Sequence, residues 1–486
     1  MSVGHSEHRS AIAPSGASSS GRSTLPGGGR VSQIDALRVL SCLSVIAVHA
    51  IGGPYPIEDV GLNLANFLLH YSREVFFFVS ALVLVRTYYP RLGENGRLSN
   101  PGSFRWRRLK LIGMPYLWWS TIYLLVGMFH TRNMQPIGET LDNLPVQWLV
   151  MLATGSAFYH MYFLLVTLQF ALVFPLMLWL LHRTEGRHVW LVVVSGAVQL
   201  ATLVFYHWVL LPGDGWRGLL GDASLPAYQF WLVLGAVAGL HLERWHRWLT
   251  AHARLVFASV PVAVGLVVWV YYAQVPAKGG LGASSPLQPM VMLWSAVMLG
   301  ALYLISVRIM DGGSRPVRSI FSYVAQLSFG IYLIHPMVLD MVNAVLRRTG
   351  LMRPQPWVAV VAFVATTTIT VLVCAALHRT RLSMQLMGRG RRAPAGTPRF
   401  RLSQARLRSA VVPLVFLAFS VLAVLLIGGD QSPPSEASAP TWEETVQASD
   451  PVTPDDGCDT EAIVVGVDCT LTPTQEASST ASASGG

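Results

Sequence analysis

Apolar runs recur along this chain at 35–53, 64–88, 109–129, 158–181, 189–210, 226–240, 255–273, 287–307, 319–345, 357–377 and 409–428. Most are long enough to cross roughly 30 Å of hydrocarbon as helices. Inside lipid each backbone N–H and C=O must find its partner within the segment, so such a chain is committed to a helical bundle. The run at 226–240 is short for a crossing and has to borrow residues from its flanks. Composition agrees: 52% of residues are hydrophobic and 12% charged, where soluble domains carry about 25% charged residues.

The formal charge of +10 does not signal a nucleic-acid partner. Basic residues cluster in alternate connecting segments, and no stretch interleaves aromatics with a basic surface. With the N-terminus inside, cytoplasmic segments hold most of the 35 Lys and Arg residues, the bias expected of a multi-pass plasma-membrane protein. The cluster Arg347, Arg348 and Arg353 is the one group that this orientation leaves on the outer side.

These features divide the chain. Residues 1–33 are rich in Ser, Gly and Arg, lack the apolar core of a signal peptide, and read as a disordered cytoplasmic arm. Residues 34–378 form a ten-span membrane domain, followed by a basic cytoplasmic loop at 379–408 suited to anionic headgroups of membrane lipids. An eleventh span at 409–428 leads to an acidic Ser/Thr/Pro-rich tail at 429–486, expected outside the cytoplasm and too polar to fold a core. Cys458 and Cys469 lie in that tail. An oxidising compartment favours a disulfide between them, and a reducing one leaves two thiols.

The first span reads DALRVLSCLSVIAVHAIGG and carries Arg38 and His49. Eleven helical steps are just over three turns, so both project from one face about 16 Å apart along the axis. Ionisable groups are costly in hydrocarbon unless they face a bundle interior or a wet cavity. Two readings of each stand at this stage. Arg38 snorkels to the interface beside Asp35, or it faces a chamber; His49 caps a backbone carbonyl, or it carries chemistry.

Later spans weigh on that choice. In SFGIYLIHP, Ser328, Tyr332 and His335 form a stripe at helical spacing, at a depth comparable to His49. YHMYF places Tyr159, His160 and Tyr162 at the outer start of the fourth span, and His70 opens the second. An interfacial belt of Tyr and His explains Tyr162 and His70 better than it explains His49 and His335. Near the third span FRWRRLK crowds Arg105, Arg107, Arg108 and Lys110. That is ordinary positive-inside bias or a cradle for phosphates, which guanidinium groups bind bidentately. No Cys/His cluster has zinc-site spacing, so no metal is expected. Neither a Gly-x-Ser-x-Gly elbow nor a nucleotide-binding glycine fingerprint is present.

In this order the segments resemble the bacterial membrane acyltransferase-3 family, integral O-acyltransferases of cell-surface glycans and some secondary metabolites. The motifs are DALR followed by His49, REVFFFVSALVL, Arg105-x-x-Arg108 leading into Met-Pro-Tyr, YHMYFLLVTLQF, the Phe230-to-Gly235 pattern and LSFGIYLIHP. They span about residues 33–345. The resemblance implies a ten-helix bundle that uses acyl-CoA as donor substrate, with no bound cofactor. It implies transfer of an acyl group, acetyl foremost, to a hydroxyl of a surface carbohydrate or cell-wall acceptor outside the cytoplasm. By position it makes Arg38 and His49 the catalytic pair and Arg105 and Arg108 the donor-binding pair. Tyr332, His335, His160 and Ser80 then line the acceptor side. His49 as general base is the leading role, with a covalent acyl-histidine left open. Ala81 departs from the family, which usually has Gly after the second-span Ser. The rival function is a transporter or flippase of a polysaccharide or lipid-linked intermediate, with Glu74 its clearest coupling carboxylate; the chain shows no internal repeat of the transporter kind.

Overall fold

A computed structural model describes residues 31–52, 59–131, 144–210 and 221–390. The arm, most of the basic loop, the eleventh span and the tail with Cys458 and Cys469 lie outside the described residues. The described chain is all-helical, with a single isolated bridge between Leu92 and Leu98.

Helix α1 runs Ser32–Gly52, α2 Val60–Leu69, α3 Tyr71–Tyr88, α4 Pro101–Arg108 and α5 Met114–Thr131. Next come α6 Leu144–Thr154, α7 Tyr162–Arg183, α8 His188–Val204, α9 Gln229–Leu240 and α10 Leu242–Ala251. The remainder are α11 Ala253–Ala283, α12 Pro289–Gly312, α13 Arg315–Arg348, α14 Pro356–Leu377 and the short α15 Ser383–Met387. Local chemistry sets several boundaries. Asp59 caps α2 by accepting from the Leu62 N–H at 2.7 Å, and Asn100 caps α4 by accepting from Ser103 N–H at 2.8 Å. Residues Leu109–Gly113 form a π-helical turn that joins α4 to α5.

Among the described residues nine helices, counted with their continuous neighbours, are long and apolar enough to cross a membrane. The short run at 226–240 is resolved differently from a plain span. It ends at His241 and turns by 96° into α10, so the pair counts as a tenth crossing only if taken together. The amphipathic sequence LERWHRWLTA explains the turn: a helix with one charged face lies along an interface rather than through it. Helix α6, apolar but only 11 residues long, has no counterpart among the expected spans.

Burial separates core helices from lipid-facing ones. The most apolar window of α13 is 78% buried, against 17% for α8 and for α11. Residues such as Val189, Trp190, Val262 and Trp269 project outward from α8 and α11, where lipid would solvate them. Helix α1 is central, packing on α2, α3, α12, α13 and α14. Ala36, Leu37, Ile46 and Ala50 are fully buried along it. Helix α3 packs closely on α9, and two glycines of α9 explain it. A Cβ at Gly235 would overlap the Phe78 carbonyl oxygen, and one at Gly239 would lie 2.8 Å from that of Leu82. The backbones meet because no side chain intervenes.

Candidate active site

His49 sits one turn before the end of α1, on a face that looks toward α13 and the segment leading into α7. Its ring centroid lies 4.3 Å from that of Tyr159 and 5.5 Å from that of His335. His160 closes the group, 5.6 Å from His335 and 5.3 Å from Tyr332. Three imidazoles and two phenols from three separate parts of the chain therefore meet in one place.

Hydrogen bonds fix this cluster from behind. The Tyr332 hydroxyl donates to the His160 carbonyl at 2.7 Å, tying α13 to the non-helical turn before α7. The Tyr123 hydroxyl of α5 donates to the Leu333 carbonyl at 2.8 Å, and its ring stands 5.3 Å from His160. His335 Nδ1 lies 2.8 Å from the Tyr332 carbonyl and 3.2 Å from that of Ile331. A carbonyl can only accept, so Nδ1 carries the proton, and the neutral ring keeps its lone pair on Nε2. That Nε2 is buried without a protein hydrogen-bond partner, and the buried His160 ring stands beside it.

The other end of α1 opens onto a cavity of about 430 Å³. Arg38 lines it with Asp35, Arg86 and Thr87 from the end of α3, Gln326 from α13, and Arg389. Arg38 and His49 thus connect two different environments along one helix face, about 16 Å apart by helix rise. A second cavity of about 260 Å³ lies beside the α3–α4 connection, lined by Tyr88, Arg91, Asn100, Phe104 and Arg107 among others.

The structure brings together His49, His160, Tyr332 and His335, four of the residues singled out in the sequence. Ser80 is half-buried on α3, one turn beyond Phe76, whose ring packs 6.0 Å from Tyr332. Arg105 is exposed on α4. The Arg108 guanidinium lies over the rings of Tyr88 and Phe104, at 5.8 and 5.6 Å. Of the basic residues in FRWRRLK it is Arg107, with Arg91, that lines the neighbouring cavity.

Sequence reasoning missed Arg86 and Arg389 at the larger cavity. Arg86 reads as an ordinary basic residue at the end of a span and Arg389 as one of the arginines of the headgroup-facing loop 379–408, so nothing in their spacing separates them from positive-inside bias. It also missed the partners of Arg73. This buried side chain bonds Glu74 at 2.9 Å and Asp222 at 2.7 Å, donates to the Pro286 carbonyl, and lies 5.2 Å over the Tyr228 ring. Two distant loops are stapled to the head of α3 by that single guanidinium. Among the described residues no set of three or more His, Cys, Asp or Glu is arranged to hold a metal ion.

Comparison with known proteins gives one match. The model of the acyltransferase-3 family, described as an acyltransferase domain, aligns with residues 31–379. No curated protein and no solved structure matches the chain. The aligned region takes in the first span, the imidazole cluster and most of the larger cavity. By this match over most of its length, the chain belongs to the acyltransferase-3 family and is a multi-pass membrane acyltransferase.

Proposed function

We propose that this protein transfers an acyl group, acetyl foremost, from acyl-CoA on the cytoplasmic side to a hydroxyl of a carbohydrate or cell-wall acceptor on the other side. The observation that carries the reading is the continuity of α1 between the basic cavity at Arg38 and the imidazole cluster at His49. Family membership supplies the class of reaction.

The basic α4 face with Arg105, Arg107 and Arg108 draws the polyanionic donor to the membrane, and guanidinium groups around the larger cavity take its phosphates. The thioester arm then extends along the α1 face toward His49. There the neutral imidazole removes the proton from the acceptor hydroxyl as its oxygen attacks the thioester carbonyl. The tetrahedral intermediate collapses with cleavage of the C–S bond, and the CoA thiolate leaves. The imidazolium returns its proton to that sulfur, giving an ester, free CoA thiol and the starting enzyme. Arg38 orients the donor and offsets charge near the cavity, while Tyr332, His335 and His160 shape the acceptor side.

The test is release of free thiol from acetyl-CoA by purified protein in liposomes, in the presence and absence of extracted cell-wall glycan. Acceptor-dependent thiol release with ester formation supports the reading. Movement of a glycan across the liposome without thiol release would replace it with the transporter reading.

A further inference from the structure

The family match ends at residue 379, yet the described chain continues to 390 and packs back against α5 and α13. Its course is held at several points. Thr380 donates to the Leu377 carbonyl at 2.8 Å, and His378 Nδ1 lies 3.3 Å from the Ser383 hydroxyl. The buried Trp119 indole of α5 donates to the Leu386 carbonyl at 2.9 Å. Met387 is buried against Gly330 of α13, where an added Cβ would crowd its side chain.

Gly388 makes the last turn. It is left-handed, with φ of 59°, and a Cβ there would overlap the Leu111 carbonyl in the π-helical turn between α4 and α5. Only glycine satisfies both conditions. The turn at Gly388 brings Arg389 to the wall of the 430 Å³ cavity that Arg38 and Arg86 also line. Three guanidinium groups and the single carboxylate of Asp35 surround this space. Guanidinium groups converging on one cavity form the planar, multi-donor surface that phosphate oxygens bind.

We propose that Arg389 is a phosphate-binding residue for the CoA-class donor, supplied by a strap that lies beyond the family domain. This rests on the acyl-CoA reading given above. Its chemistry is recognition of phosphate esters by convergent guanidinium groups. The donor and an anionic lipid headgroup share that chemistry, and the donor is favoured because Arg38, which lines the cavity, stands on the same face of α1 as His49.

The experiment measures equilibrium binding of coenzyme A to the full chain in nanodiscs of neutral lipid, by calorimetry. Arg389→Gln should weaken binding about tenfold or more, as expected for loss of a charge-assisted contact worth about 1.5–3 kcal/mol, and flatten its salt dependence. Arg389→Lys should recover part of the affinity. Gly388→Ala should weaken binding although the arginine is intact, because the strap is displaced. Thermal unfolding and elution profile confirm that each variant is folded. If the parent protein binds coenzyme A and Arg389→Gln binds it equally well, the proposal is overturned while the donor reading stands. The same holds if Arg389→Gln changes only retention of phosphatidylglycerol, which would assign the cavity to a lipid headgroup. If the parent protein binds no coenzyme A at any salt concentration, both readings fall together.

Discussion

His49 of α1 stacks against His335 of α13, with ring centroids 5.5 Å apart and planes 27° from parallel. The same two helices border the basic cavity through Arg38 and Gln326, which lie two to three turns earlier on α1 and α13. One helix pair therefore lines both the proposed donor site and the proposed site of proton transfer. The Cys42 thiol, midway along α1, lies 3.8 Å from the Ser328 carbonyl and keeps the two helices in register.

Substituting His49 by Gln keeps the side chain polar while removing the base. Acyl transfer should fall by roughly 10²–10⁴-fold, the usual contribution of general acid–base catalysis. Insertion and coenzyme A binding should persist, because the cavity at Arg38 is about three helical turns away. Thiol release normalised to folded protein checks this; undiminished turnover would remove His49 from the chemistry.

Tyr332→Phe isolates a positioning role. The ring keeps its packing against Phe163 at 5.1 Å, but the hydroxyl that donates to the His160 carbonyl at 2.7 Å is gone. That carbonyl keeps the Phe163 N–H as a donor at 3.3 Å, so loss of the hydroxyl should cost about 0.5–1.5 kcal/mol. We expect a lowered apparent Tm and a lower kcat, with the KM for donor little changed because the donor cavity is remote. A rise in donor KM with kcat intact would place Tyr332 in a different part of the reaction.

Much of this arrangement was legible in the sequence because helical periodicity is a local property. Arg38 and His49, and Ser328, Tyr332 and His335, share faces by residue spacing alone, and the structure keeps them there. The meeting of His49 with His160 and His335 was suggested by depth, since residues at similar heights in a bundle can converge. Depth does not specify azimuth, however. It could not show that Arg86 and Arg389 line one cavity with Arg38, or that Arg107 rather than Arg105 lines another. The end of the short run at 226–240 was similarly hidden, because apolarity reports length in lipid and not a 96° turn. Arg73 was visible as a charge within a span, but its partners Asp222 and Pro286 come from loops remote in sequence.

That staple makes a stability prediction. Arg73→Leu strands Glu74 and Asp222 near one another without their cation, and Glu74 Oε2 already lacks a partner. Breaking a buried ion pair on one side typically costs about 3–5 kcal/mol. The single variant should unfold at markedly lower temperature in detergent, whereas Arg73→Leu with Glu74→Leu should recover much of the loss. If the double variant is no more stable than the single one, the loss comes from released loops and not from stranded charge.

The α3–α9 contact supplies a test of packing independent of any charge. At Gly235 an added methyl would overlap the Phe78 carbonyl oxygen, which belongs to backbone and cannot rotate away. The helices must separate, and Phe77, whose ring packs at 4.5 Å on Phe163 and 4.4 Å on Tyr228, moves with α3. Overpacking of this kind costs about 1–3 kcal/mol. Gly235→Ala should therefore lower the apparent Tm and, because Phe163 packs on Tyr332, reduce turnover as well. Gly265→Ala is the matched control: nothing lies within 4 Å of its added methyl on lipid-facing α11, and helix propensity favours alanine. It should leave the Tm unchanged or raise it slightly. Equal losses at the two positions would mean that the α3–α9 contact is not a tight one, and that disturbance there does not reach the imidazole cluster through Phe163.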